Sequence, residues 1–144
     1  MIRYHQYGSN YRLEQKRAVS SWIKTVVNDA GCSLADINII FCGIAEIHEI
    51  NKKHLKHDYP TDIVTFDYSE NKTLSGDLYL GIPEIAENAK EYNVSLTEEI
   101  HRVIIHGILH LMGQKDKSKE EFKQMKQREN EALMLRSFHV KHKK

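Results

Sequence analysis

Leu13, Val19, Trp22, Ile23, Val26 and Val27 recur at near-helical spacing and stop before Gly31, which predicts an amphipathic helix over Tyr11 to Asp29. The short β-branched run Ile37 to Cys42, closed by Gly43, predicts a buried strand, and Ile47, Ile50 and Leu55 restore a helical period over Glu46 to Lys56. Turn chemistry at Asp58-Tyr59-Pro60-Thr61-Asp62 then feeds a strand at Ile63 to Tyr68. A polar loop, Ser69 to Ser75, and Gly76-Asp77 lead to a further strand at Leu78 to Ile82, and these two strands are expected to pair as a hairpin. Pro83 suits the first turn of a helix reaching about Tyr92. Ser95 with Glu98, and Ser118 with Glu121, have the spacing of capping boxes and open the last two helices. The final helix is charged, with Phe122, Met125, Leu133 and Leu135 as its expected apolar face. About five helices with three or four strands, the fourth from Ile2 to Gln6, predict an α+β domain.

The 144 residues suit one domain, taken as 1–136, followed by a basic tail over 137–144 expected to be disordered. Lys and Arg number 21 against 20 Asp and Glu, a formal charge of +1, so an RNA site must be a local patch and not a global field. The first residues carry no apolar signal core and no run approaches a membrane span, so a cytoplasmic protein without a membrane partner is expected. Cys32 and Cys42 lack CxxC spacing and are read as reduced thiols.

The chemistry concentrates in Val103 to Met112, where His106 and His110 interrupt an otherwise apolar helix. Four residues apart, both rings leave one side of the helix and can offer two nitrogens to one ion. Gly113 can end the helix in a left-handed turn that brings Asp116 back as a third ligand, giving HxxxHxxGxxD. His101, five residues before His106, lies roughly 140° round the helix and is not expected to join. Two imidazoles and a carboxylate leave the fourth tetrahedral position of one Zn²⁺ to water, the arrangement of a catalytic ion. Gly107 stands where the zinc peptidases place their glutamate base. RNA cleavage tolerates that loss, because the substrate's own 2′-hydroxyl can serve as nucleophile.

His106-Gly107-Ile108-Leu109-His110-Leu111-Met112-Gly113, preceded by Asp58 to Phe66 and by Gly76-Asp77-Leu78, resembles the YbeY family of metal-dependent bacterial endoribonucleases over about Ile37 to Met134. The resemblance implies a mixed sheet of about four strands flanked by about five helices, similar to the zincin fold. It implies a zinc-dependent, single-strand-specific RNase acting at the 3′ end of small-subunit ribosomal RNA and in ribosome quality control. The small ribosomal subunit is the implied partner, with ribosomal proteins or an assembly GTPase beside it.

Two positions depart from the family pattern. The family's third ligand is usually a histidine, where this chain has Asp116, and the family's arginine five residues before the Pro60 position is here Leu55. Lys53, Lys56 and His57 are the nearby candidates for electrostatic support to a phosphate, although a lysine is a point charge where arginine is a bidentate fork. Two other classes stay open on the sequence: a non-catalytic RNA-binding factor of ribosome biogenesis with a structural metal, and a metal-dependent peptidase or amidase. Resistance to chelation would mark the first, and turnover of casein or acyl substrates the second.

Overall fold

The computed structural model describes residues 1–55 and 61–140. Its four-stranded sheet has the spatial order β1-β2-β4-β3, formed by β1 (Ile2–Tyr7), β2 (Ser33–Cys42), β3 (Ile63–Asp67) and β4 (Thr73–Gly81). The pairs β1–β2 and β2–β4 are parallel, and β3–β4 is the expected antiparallel hairpin. Among the described residues five helices complete the α+β domain: α1 (Lys16–Asp29), α2 (Ile44–Leu55), α3 (Ile82–Glu91), α4 (Leu96–Leu111) and α5 (Lys119–Met134).

Alternation along β2 divides the core. Ile37, Ile39 and Phe41 join Leu74, Leu78 and Leu80 against the buried faces of α1 and α4, while Ile40 and Cys42 join Val64 under Ile47 and Ile50 of α2. The helix α4 is thus buried along one side, with Ile100, Ile104, Ile105 and Ile108 fully enclosed. At Gly107 a Cβ would lie 2.9 Å from Ile63 Cδ1 and 3.0 Å from Leu78 Cδ2. The glycine therefore lets α4 settle onto the hairpin.

Several expected boundaries move. The first helix begins at Lys16, not Tyr11, because Gln15 adopts a left-handed conformation (φ 57°) that interrupts the helical path. Tyr11 and Leu13 still pack on the core, Tyr11 meeting Phe41 edge-on at 5.1 Å, so their apolar character reported burial and not helix. Strand β2 extends back to Ser33 across a register irregularity between Leu34 and Ile37. Gly76 and Asp77 are ladder positions of β4 and not a turn: Asn38 donates to Asp77 at 3.0 Å, and a Cβ at Gly76 would lie 2.4 Å from the Phe66 carbonyl oxygen. Ile82 opens α3 and does not close a strand. On α5, Met125 and Leu133 are buried as expected, whereas Phe122 and Leu135 are 58% and 45% exposed.

Of the expected tail, Phe138 and His139 make contacts, and residues 141–144 lie outside the described residues. Phe138 stacks edge-on near Trp22 and His101, and the His139 carbonyl accepts from Gln15. Cys32 and Cys42 are free thiols. Among the described residues no helix is long and apolar enough to cross a membrane.

His101 is buried on the side of α4 away from His106, between Trp22 and Phe138. Arg136 donates to its Nδ1 at 2.9 Å while forming a two-armed ion pair with Glu98, so His101 carries its proton on Nε2. Burial first, and then the Arg136 charge, hold its pKa down from 6.5 to about 4. Between these two values the unfolded chain binds a proton that the folded chain excludes, so stability falls as pH drops through that window. From pH 7.5 to 4.5 the wild type is expected to lose roughly 2–3 kcal/mol more than His101→Phe in urea unfolding. Parallel losses in the two proteins would show that His101 is not the acid-sensitive group.

Candidate metal centre

Helix α4 starts with Ser95 accepting from the Glu98 backbone N–H at 3.1 Å, one half of the expected capping box, while the Glu98 carboxylate pairs with Arg136. It ends in a turn in which Gly113 takes φ +97°, its N–H donates to the His110 carbonyl, and Gln114 N–H reaches back to Leu109. That turn reverses the chain and places Asp116 over the last turn of α4. Arg128 of α5 holds the connection by donating to Gln114 at 2.9 Å. Ser118 and Glu121 then form the full reciprocal capping box that starts α5.

Three side chains converge as a result. His106 Nε2 and His110 Nε2 are 3.0 Å apart, and Asp116 Oδ2 lies 3.4 Å from the first and 3.3 Å from the second. A tetrahedral ion with bonds of about 2.0–2.1 Å has ligand-to-ligand edges of about 3.3–3.4 Å, so the triangle is close to the size one Zn²⁺ requires. Three electron-rich atoms this close repel unless a proton or cation lies among them. The side chains are 24%, 29% and 32% exposed, which leaves the site open to solvent.

Behind His106 stands Glu129 of α5, only 5% exposed. Its carboxylate accepts from His106 Nδ1 at 2.5 Å and from Arg102 at 3.0 Å. A proton held on Nδ1 leaves the Nε2 lone pair facing His110 and Asp116, which is the tautomer a ligand needs. Burial pulls the His106 pKa down, but the Glu129 hydrogen bond and charge, with Asp116 and Asp62 beyond, outweigh it, and the net direction is up. Sequence reasoning did not pick out Glu129. Its signal was a carboxylate midway between Met125 and Leu133, four residues from each, on the apolar stripe of α5.

The other expected residues fare differently. Lys53 is exposed on α2, and Lys56 and His57 lie outside the described residues. Leu55 ends α2 and is 43% exposed. His101 does not join the centre. Asp62 serves both frame and site: its carbonyl accepts from Gly81 N–H, and its side chain lines a cavity shared with His106, Glu99 and Glu129.

Comparison with known proteins follows the same residues. The family described as Endoribonuclease YbeY matches residues 3–136. The chain is 46% identical to Endoribonuclease YbeY of Bacteroides thetaiotaomicron over 135 residues, 94% of this chain and 98% of that protein. It is 46% identical to the Parabacteroides distasonis protein of that name, covering 84% and 85%, and 38% identical to the Flavobacterium johnsoniae one, covering 97% and 99%. The solution structure of TM1509 from Thermotoga maritima is similar in fold, with a TM-score of 0.62 at 29% identity, over 93% of this chain and 90% of that one.

Proposed function

The chain belongs to the YbeY family of endoribonucleases, a family of hydrolases acting on RNA phosphodiester bonds, and from that membership we propose a zinc-dependent enzyme that cuts single-stranded RNA in ribosomal RNA maturation. The proposed target is the 3′ end of the small-subunit RNA, with a part in ribosome quality control. A cytoplasmic setting and contact with ribosomal proteins or an assembly GTPase accompany that role. The observation that carries the proposal is the convergence of His106, His110 and Asp116 with Glu129 braced behind them.

These three residues would hold the ion, which when bound supplies Lewis acidity to a phosphoryl oxygen and makes a nearby water more acidic. The chain's own part is orientation. Glu129 fixes the His106 tautomer, and Arg102 donates to Glu129 at 3.0 Å and so holds that carboxylate in place. No carboxylate occupies the Gly107 position beside His106, so peptide hydrolysis lacks its usual base, whereas an RNA strand brings its own 2′-hydroxyl to the phosphorus. Lys53, Lys56 and His57 are the proposed sources of positive charge in place of the family's arginine.

The presence of Leu55 in the arginine position favours one second reading, an RNA-binding factor whose metal is structural. Labelled single-stranded RNA, duplex RNA and casein separate the possibilities. The enzyme is expected to cut only the first, to lose cleavage in chelator and to regain it with about one equivalent of zinc. RNA bound but uncut in every state, with metal released only on unfolding, would establish the binding factor instead.

A further inference from the structure

On the side of His106 away from Asp116's turn, α4 and the ends of α3 and α5 enclose a cavity of about 160 Å³. Roughly 150 Å³ is enough to admit a single aromatic ring. The inner wall carries His106, Glu99 and Met125, and the rim carries Tyr92, Phe122 and Lys126.

Two exposed aromatic rings stand at the rim. Tyr92 follows the last turn of α3 and Phe122 lies in the first turn of α5, and they are 57% and 58% exposed. Phe122 in particular has the spacing of a core position with Met125, yet it faces outward at the cavity mouth. Lys126 bridges the two, its Nζ 5.8 Å from the Tyr92 ring centroid and 5.9 Å from that of Phe122. An ammonium held between two exposed rings is weakly bound and readily exchanged.

Charge is distributed with depth. Lys126 lies at the mouth, and Arg102, the second cation of the lining, is held by Glu129 and Asn130; Glu99 lines the interior with Asp62 and Glu129, is 5% exposed, and among the described residues no hydrogen-bond donor reaches its carboxylate. A phosphate is repelled from that floor but attracted to the rim. A neutral ring carrying N–H donors has the opposite preference: its faces suit Tyr92 and Phe122, and its edge can donate to Glu99.

We propose that this cavity is a nucleotide subsite beside the metal centre, in which one base of a single-stranded RNA stacks on Tyr92 and Phe122 while Lys126 leaves the rings for the adjoining phosphate. The proposal rests on the RNA-cleaving reading of the site and specifies how the strand is held there. It sets the strand's path from the ligand histidines across α4 towards the start of α5. Stacking accepts any base, so this subsite contributes affinity and placement with little sequence preference.

The test titrates the metal-loaded full chain with 2′-O-methylated hexanucleotides carrying 2-aminopurine at each position in turn, and assays unmodified RNA for cleavage in parallel. In the wild type, emission from one position is expected to be quenched severalfold on binding. Tyr92→Ala and Phe122→Ala should each abolish that quenching and weaken binding by about 5- to 100-fold, while Tyr92→Phe and Phe122→Tyr restore both. Lys126→Gln should reduce the slope of log affinity against log salt by about 0.7, the share of one phosphate. Cleavage by the wild type with no quenched position, or quenching and affinity unchanged in the double alanine variant, overturns the subsite and leaves the enzyme standing. Quenching lost with the rings in a wild type that does not cleave supports the subsite and removes the enzymatic reading alone.

Discussion

Replacing His110 with alanine is expected to remove bound metal and RNA cleavage together, the cleavage by at least about 10³-fold. The magnitude follows from the several kcal/mol of charge stabilisation that a divalent ion gives a transferring phosphoryl group, at about 1.4 kcal/mol per tenfold. His110 is the cleaner position for this test because its ring is 29% exposed and alanine is the better helix former, so the fold should change by less than about 1 kcal/mol. The remaining His106 Nε2 and Asp116 Oδ2, 3.4 Å apart, make a two-atom site too weak to retain zinc through gel filtration. Metal content by mass spectrometry and cleavage rate should therefore fall in step, while thermal unfolding of the metal-free proteins coincides. A variant that keeps one equivalent of metal and cleaves normally would exclude His110 as a ligand.

This prediction depends on residues the sequence exposes readily, and the reason is local geometry. Spacing of four on a helix fixes the relative position of two side chains whatever surrounds them, and a glycine after the last turn fixes the direction of return. His106, His110, Gly113 and Asp116 could therefore be related without knowing the fold. Glu129 and the rim of the cavity could not. Glu129 reaches His106 from 23 positions further along, and Tyr92 and Phe122 come from different helices, so their meeting depends on how α3 and α5 pack on α4. The same limit explains Gly76-Asp77. As a dipeptide it has turn chemistry, but pairing with β2 and β3 on both sides makes it part of a central strand. Phe122 shows the converse error, since its period pointed to the core while the position of the helix start left it at the surface.

Glu129 supplies the second large effect, because one buried carboxylate supports two partners. Glu129→Ala leaves Arg102, 27% exposed, with Asn130 as its remaining hydrogen-bond acceptor among the described residues, and leaves His106 Nδ1 without its acceptor. Unpairing a largely buried charge costs several kcal/mol, and partial exposure of Arg102 reduces this to about 2–3 kcal/mol of lost stability. Metal affinity should fall a further 10- to 100-fold or so, the usual cost of removing the group that orients a ligand histidine. Glu129→Gln separates the two consequences. Its amide keeps the volume and can still accept from Arg102 through oxygen, so much of the stability should return. Its NH₂ then faces His106 and donates to Nδ1, which drives the ring proton to Nε2, the atom that must be free for the ion. The glutamine variant should thus fold nearly as well as the wild type yet bind zinc as poorly as the alanine variant, read by competition with a chromogenic chelator and by urea unfolding. If glutamine restored zinc affinity along with stability, Glu129 would be acting on the metal only through packing and not through the His106 tautomer.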